Sequence, residues 1–386
     1  MRSWDVVLYG ATGFTGRLVA ERLTRISGLR WAIAGRDQDR LRDVKAGLVG
    51  ADRSAGHVGI IVADTTNPAS LAAMAASTKV VATTVGPYVR HGLPLVSACV
   101  AAGTHYADIT GEPQFVSSSR RQFDAAAREA GVRIVHACGF DAIPADLGVQ
   151  FTVAQLPDGP RTVRGYLKTK GSPSGGTWAS LIEALAGGKA DATPRPEGDS
   201  RPLRAPRPRW HAAPAEVGGF GLPLPVIDPT IVLKSSRLLP EQYGEDFAYE
   251  HYLRVRNRRT AAKLGAGVAG LAALSRVPMA KRWLQGRIPS GTGPDEEIRA
   301  RSFFALTLVG RGGGSRVVTR VSGGDPGYTE TSRMLATCAH LLASSADLPP
   351  HLGVLTPASA FGETLRAALH EQGIRFETLS PSEASP

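Results

Sequence analysis

Apolar positions recur in two rhythms along the first third of the chain. Short apolar runs fall at residues 5–9, 30–34, 58–62, 79–84 and 132–136. Between them, residues 14–26, 38–47, 68–77, 92–102 and 118–130 carry apolar side chains at helical spacing. Strands alternating with helices predict an α/β unit, a doubly wound parallel sheet with helices on both faces. Ligands in such sheets bind beyond the carboxyl ends of the strands. Loops 10–16, 35–37, 63–66, 85–91 and 137–144 are therefore expected to share one cleft.

After about residue 150 the rhythm changes. Strand-like stretches at 161–169, 230–235, 247–256, 299–309 and 315–321 predict a mixed sheet in a second, α+β domain. The expected division is 1–150 and 151–386, with helices near 324–372 able to pack back on the first domain. Residues 190–215 are rich in Pro and Arg and read as an irregular surface excursion. Residues 257–289 hold a small, apolar run from Ala261 to Leu274, flanked by Arg258, Arg259, Arg276 and Arg282. The run is too short to span a bilayer. It reads either as a buried or interface helix, or as a peripheral contact with lipid or a greasy substrate.

The first strand ends in Gly10-Ala11-Thr12-Gly13-Phe14-Thr15-Gly16. A glycine turn between a strand and a helix start is built for a pyrophosphate. Gly10 permits the tight turn, Gly13 the close approach of the phosphates, and Gly16 close helix–strand packing. The spacing is G-x-x-G-x-x-G, so the strand–helix context carries the reading. Arg36 follows the glycine that ends the second strand, where an NAD site usually has an acid. A guanidinium there can grip a 2′-phosphate, which favours NADP(H). Asp37 is either a ribose acid shifted by one place or a helix cap. Asp64 and Gly86 join the expected cofactor set, with Tyr88, Cys138, Gly139 and Phe140. The Cys138 thiol reads as packing, having no base nearby in sequence.

Candidates for chemistry are Tyr88, His91 and Asp141, with His136 an alternative to Asp141. Tyr88 could donate a proton or support a ring; His91 could be an acid or merely open a helix. Ser174 or Thr177 could cap a helix near 176–185 whose amides could bind a carbonyl or carboxylate. Tyr166 and Lys170 are spaced like a short-chain dehydrogenase pair, but on a strand they lie about 13 Å apart. No metal-ligand spacing, Walker loop or nucleophile elbow is present.

Composition narrows the classes. The chain has 386 residues, 42% of them hydrophobic, enough for two cores. Three cysteines without a framework suit a reducing cytoplasm. The formal charge of +11 suits an anionic partner or the inner membrane surface; no nucleic-acid module accompanies it.

VVLYGATGFTGRL at 6–18, AIAGRD at 32–37, RIVHACGFDAIPADL at 133–147, GDPGYTETS at 324–332 and GVLTPASAFG at 353–362 carry a resemblance. The chain resembles the saccharopine dehydrogenase-like oxidoreductases, most closely the trans-acting enoyl reductases of mycobacterial-type lipid biosynthesis. The resemblance implies an NADP-type Rossmann domain and a second α+β domain. It also implies enoyl reduction of a carrier-bound acyl intermediate on a polyketide synthase. An amino-acid dehydrogenase and a non-catalytic NADP-sensing or lipid-surface protein remain as alternatives. An arginine-lined pocket would favour the amino-acid enzyme, an apolar one the enoyl reductase.

Overall fold

A computed structural model describes residues 2–171, 178, 182, 185, 209–224, 226–286 and 293–380. The expected helix near 176–185 and most of the Pro/Arg-rich stretch lie outside the described residues, as do Ser174 and Thr177.

The first sheet is parallel throughout. Its strands are β1 (Trp4–Tyr9), β2 (Trp31–Gly35), β3 (Gly59–Val62), β4 (Thr78–Thr83), β5 (His105–Asp108), β6 (Arg133–Val135) and, from far along the chain, β13 (Gly353–Leu355). The spatial order is β13-β6-β5-β4-β1-β2-β3. Strand order reverses between β1 and β4, and that switch point is where a dinucleotide settles. The connecting helices are α1 (Phe14–Thr24), α2 (Gln38–Ala51), α3 (Pro68–Ala76), α4 (Tyr88–Ala101) and α5 (Pro113–Glu129).

The second sheet is mixed and has the order β14-β12-β11-β7-β10-β9-β8. Its strands are β7 (Arg161–Lys170), β8 (His211–Ala212), β9 (Phe220–Pro223), β10 (Phe247–Val255), β11 (Phe303–Gly312), β12 (Ser315–Gly323) and β14 (Arg375–Thr378). Only β7 and β10 pair in parallel; the rest pair antiparallel.

One helix joins the sheets. In α6 (Ile143–Val153) nearly every residue is buried, as expected of a helix apolar on all sides. A Cβ on its Gly148 would lie 2.7 Å from both Leu308 and Val321, so only glycine allows this contact with the second sheet. A continuous core runs from Leu8 and Val135 through Ile143 and Leu147 to Leu306, Val321 and Met334. Helices Thr331–Ser344 and Pro357–Glu371 complete it.

Four stretches depart from the sequence pattern. Residues 230–235, with their β-branched Thr230-Ile231-Val232, lie in a helix, Asp228–Leu238. Pro229 in its first turn and the burial of Ile231, Val232, Ser235 and Ser236 decide against the strand propensity. Strand β5 was not expected, because His-Tyr-Ala-Asp offers no apolar run. Strand β13 is three residues long and pairs only through a long-range contact with β6. Residues 299–300 are helical, and β11 starts at Phe303.

Residues 257–286 face outward for the most part. Helix Arg258–Ser275 buries only Ala261 and Ser275, so the reading as a buried core helix does not hold. Helix Pro278–Gln285 follows it. No helix among the described residues is long and apolar enough to cross a membrane.

Candidate cofactor and substrate cleft

The glycine turn has the geometry its sequence implies. Gly10 sits at φ +96°, and a Cβ there would meet Thr84 and Val85 at 2.8 Å. A Cβ on Gly16 would lie 2.2 Å from the Gly10 carbonyl oxygen. Gly13 caps α1 with an extended backbone and no side-chain hydrogen bond. The first amides of α1 therefore face a space bounded by Gly13, with no acid in the first turn to compete for them. That cradle fits a pyrophosphate. Thr12 and Thr15 are partly exposed at its rim. Phe14 contributes a backbone amide at most: its ring meets Tyr328 edge-on at 4.7 Å, so the side chain serves packing between the two halves of the chain.

The loops after β2 and β3 lie on one side of the glycine turn. Asp37 accepts bonds from the Asp39 and Arg40 amides, both at 3.1 Å. It is the cap of α2 through Oδ1. Arg36 is exposed beside it. Asp64 holds its own loop through Thr66, and that hydrogen bonding keeps its carboxyl below the usual range, with Arg36 and His91 adding their charge. Buried Tyr9 beneath is pushed up to about 12 by burial and by Asp64. His91 reaches Thr65 Oγ1 at 3.3 Å, tying α4 to this side of the cleft. Arg36, Asp64 and His91 thus gather at this end of the cleft.

The other side is built by loops after β4, β5 and β6. Gly86 is exposed. Tyr88 is 6% exposed and stacks on Phe115 at 5.7 Å. Its hydroxyl donates to the Thr83 carbonyl at 3.2 Å and accepts from the Ile109 amide at 3.4 Å. Burial raises its pKa well above the ordinary value. This arrangement favours the supporting role over proton donation. Tyr88→Phe is expected to lower stability by about 1–3 kcal/mol, the cost of leaving buried polar groups unpaired, with turnover within a few-fold of wild type. Thermal melts and NADPH oxidation check this; lost turnover at unchanged melting temperature would restore the donor role.

His136 cannot serve as a donor to substrate. It is fully buried, with Nδ1 at 2.7 Å from Asp108 and Nε2 at 2.8 Å from Ser119. Cys138 is likewise committed to the interior: its amide donates to the Asp108 carbonyl at 2.6 Å and its buried thiol faces Val135. Neither group is free for a cofactor. Gly139 fits tightly against Thr331 and Ile109, and the Phe140 amide donates to Thr331 Oγ1 at 3.1 Å. Ala137 (φ 59°) and Ala142 (φ 144°) bracket the loop in conformations that L side chains resist. Such strain, about 1–3 kcal/mol per residue, persists where surrounding structure holds a loop in place and gathers at functional sites.

That loop delivers Asp141 to a cleft between the sheets. The cleft is small, with about 30 Å³ of free space, and is lined by Phe140, Asp141, Pro144, Leu167, Val226, Asp228, His251 and Leu306. Its walls come from the β6 loop, β7, β10, β11 and the start of helix Asp228–Leu238. Burial and the charge of Asp228 push Asp141 up to about 7. Burial does the same to Asp228. His251 is pushed down to about 4 by burial. Its Nδ1 lies 2.8 Å from Tyr249 Oη and 3.9 Å from Asp228 Oδ1. Asp228, His251 and Tyr249 were not legible in the sequence: residues 230–235 read as a strand, and β10 carried no motif. Asp146, one turn into α6, is buried and accepts from Ser235 Oγ at 2.5 Å and the Ala358 amide at 2.8 Å, joining helices rather than facing the cleft. Tyr166 lies on a strand and its hydroxyl meets His211 Nε2 at 2.8 Å, which removes the short-chain dehydrogenase pair. No cluster of metal-binding side chains occurs among the described residues.

The family profile described as the saccharopine dehydrogenase NADP binding domain matches residues 6–135. A provisionally named trans-acting enoyl reductase of Mycobacterium tuberculosis is 38% identical over 416 residues, covering 98% of each chain. The chain belongs to this family. A trans-acting enoyl reductase of Mycobacterium leprae is 35% identical, again over 98% of each chain. The fold is shared with apo saccharopine dehydrogenase (L-Glu forming) of Saccharomyces cerevisiae, at a TM-score of 0.55, 13% identity and coverage of 97% and 99%. This member of the saccharopine dehydrogenase-like family is an NADP-dependent oxidoreductase. The exposed Arg36 and the uncapped start of α1 are the residues that would hold NADP(H).

Proposed function

We propose that this protein reduces the double bond of an enoyl thioester carried by a polyketide or fatty acyl synthase. The observation that carries the reading is the lining of the cleft. Of the eight described residues that line it, five are apolar and the ionisable ones are two aspartates and a histidine. A substrate with several carboxylates, as an amino-acid dehydrogenase would take, needs guanidinium partners and would meet Asp141 and Asp228 instead. An acyl chain needs only an apolar wall. Bound NADPH supplies a hydride. The protein's part is to hold the acyl carbonyl, exclude water and supply a proton. The test is NADPH oxidation with enoyl-carrier, enoyl-CoA and imino-acid substrates. Turnover with imino acids alone would overturn the reading.

The outward helices Arg258–Ser275 and Pro278–Gln285 support a peripheral contact. Leu264, Val268, Leu274, Val277, Met279 and Trp283 are exposed among Arg258, Arg259, Arg276 and Arg282. Exposed apolar side chains in a basic surround suit an anionic membrane face, each basic contact contributing about 1 kcal/mol. Vesicles containing anionic lipid are expected to co-sediment the protein at low salt. Binding should weaken with added salt and with Arg258→Glu/Arg259→Glu; no low-salt binding would remove the membrane role.

A further inference from the structure

Asp141 and Asp228 come from different parts of the chain and meet only through the fold. Asp141 sits on the strained loop after β6; its Oδ2 lies 3.4 Å from where a Cβ on Gly111 would be. That loop lies on the β4–β5–β6 side of the switch point, the side away from Arg36. Asp228 is the first residue of helix Asp228–Leu238, and 7% of it is exposed. Both line one cleft whose other walls are largely apolar. Among the described residues that line the cleft, none is Lys or Arg.

We infer that Asp141 and Asp228 share a proton across the cleft at neutral pH, and that Asp141 gives this proton to the α-carbon of the reduced substrate. The inference rests on the enoyl-reductase reading for its second half only. Two carboxylates in a poorly solvated cleft cannot both ionise cheaply, so one stays protonated. Among the described residues, the titratable groups facing the pair are His251 and Tyr249 from β10, with Asp146 behind them in α6. His251 is neutral at pH 7, so it adds no cation to pull the proton off. His251 Nδ1 and Tyr249 Oη share a hydrogen bond of 2.8 Å.

The step balances. Hydride adds to the β-carbon, the alkene pair moves toward the thioester, and an enolate forms on the substrate. The enolate pair then takes the Asp141 proton, making the α-carbon–hydrogen bond and leaving a carboxylate. Water returns the proton to the pair. One NADPH and one proton are consumed per double bond.

Two measurements separate the halves. Carbon-13 NMR of aspartate-labelled protein, without substrate, should show an aspartate protonated to near neutral pH. Asp228→Asn should move the Asp141 midpoint downward. If every aspartate is ionised by pH 5 in the wild type, the shared proton is overturned. Kinetics read the second half. Asp141→Asn should lower kcat about 10²- to 10⁴-fold, the usual contribution of a positioned acid, with NADPH affinity kept. It should also slow deuterium transfer from D₂O to the α-carbon. Unchanged kcat in Asp141→Asn would overturn the delivery role. A wild type inactive on every enoyl thioester would overturn the function and the delivery, while the titration would still decide the pair.

Discussion

Gly16→Ala is expected to abolish NADPH binding and to destabilise the protein, whereas Gly13→Val abolishes binding alone. The difference lies in what each new Cβ meets. At Gly16 it would stand 2.2 Å from the Gly10 carbonyl oxygen and 2.9 Å from the Ala11 Cα. These are backbone atoms, so no rotamer change relieves the contact and the turn itself opens. Overpacking of this kind costs about 1–3 kcal/mol, and here it falls on the cofactor's own cradle. At Gly13 the nearest atom is the same carbonyl at 3.4 Å, and the backbone is extended, which valine accepts. The side chain then projects into the space left for phosphate. Calorimetric titration with NADPH and thermal melts on both variants read the contrast. Normal affinity in a folded Gly13→Val protein would show that the turn is not the phosphate site.

Arg36→Ala is expected to weaken NADPH about ten- to a hundredfold and leave NADH nearly unchanged. Arg36 is exposed at the end of β2, and Asp37 beside it caps α2 through Oδ1. A hydrogen bond to a charged group contributes about 1.5–3 kcal/mol. The wild type is expected to prefer NADPH at least tenfold, which is about 1.4 kcal/mol. Calorimetry with both cofactors on wild type and variant checks this. Equal wild-type affinities would remove Arg36 as the phosphate ligand.

The cofactor half of the protein was legible residue by residue. Apart from β5 and β13 its strands are apolar runs, its helices are amphipathic, and Gly16 is required by contacts with Gly10 and Ala11, whereas Gly10 is also hemmed in by Thr84 and Val85 beyond β4. Arg36 and Asp37 are local too, since a strand end and a helix cap are set by their neighbours. Local geometry follows local sequence, so a string of residues suffices.

The substrate half was not legible in the same way. Asp141 could be singled out because its loop follows a strand of the parallel sheet. Its partners could not: Asp228 opens a helix that β-branched residues disguised, and His251 and Tyr249 lie in a strand without a motif. Tyr88 and His136 looked available in sequence and are enclosed in the fold, because burial depends on what packs over them. Sequence by itself pointed to the alternating strands and helices, the glycine turn and the arginine after the second strand, since each is a local pattern. Only the tertiary structure decided which acids meet in the cleft, that β13 completes the first sheet, and that the basic apolar helices face outward. Those outcomes depend on contacts between segments far apart along the chain, and burial follows from such contacts.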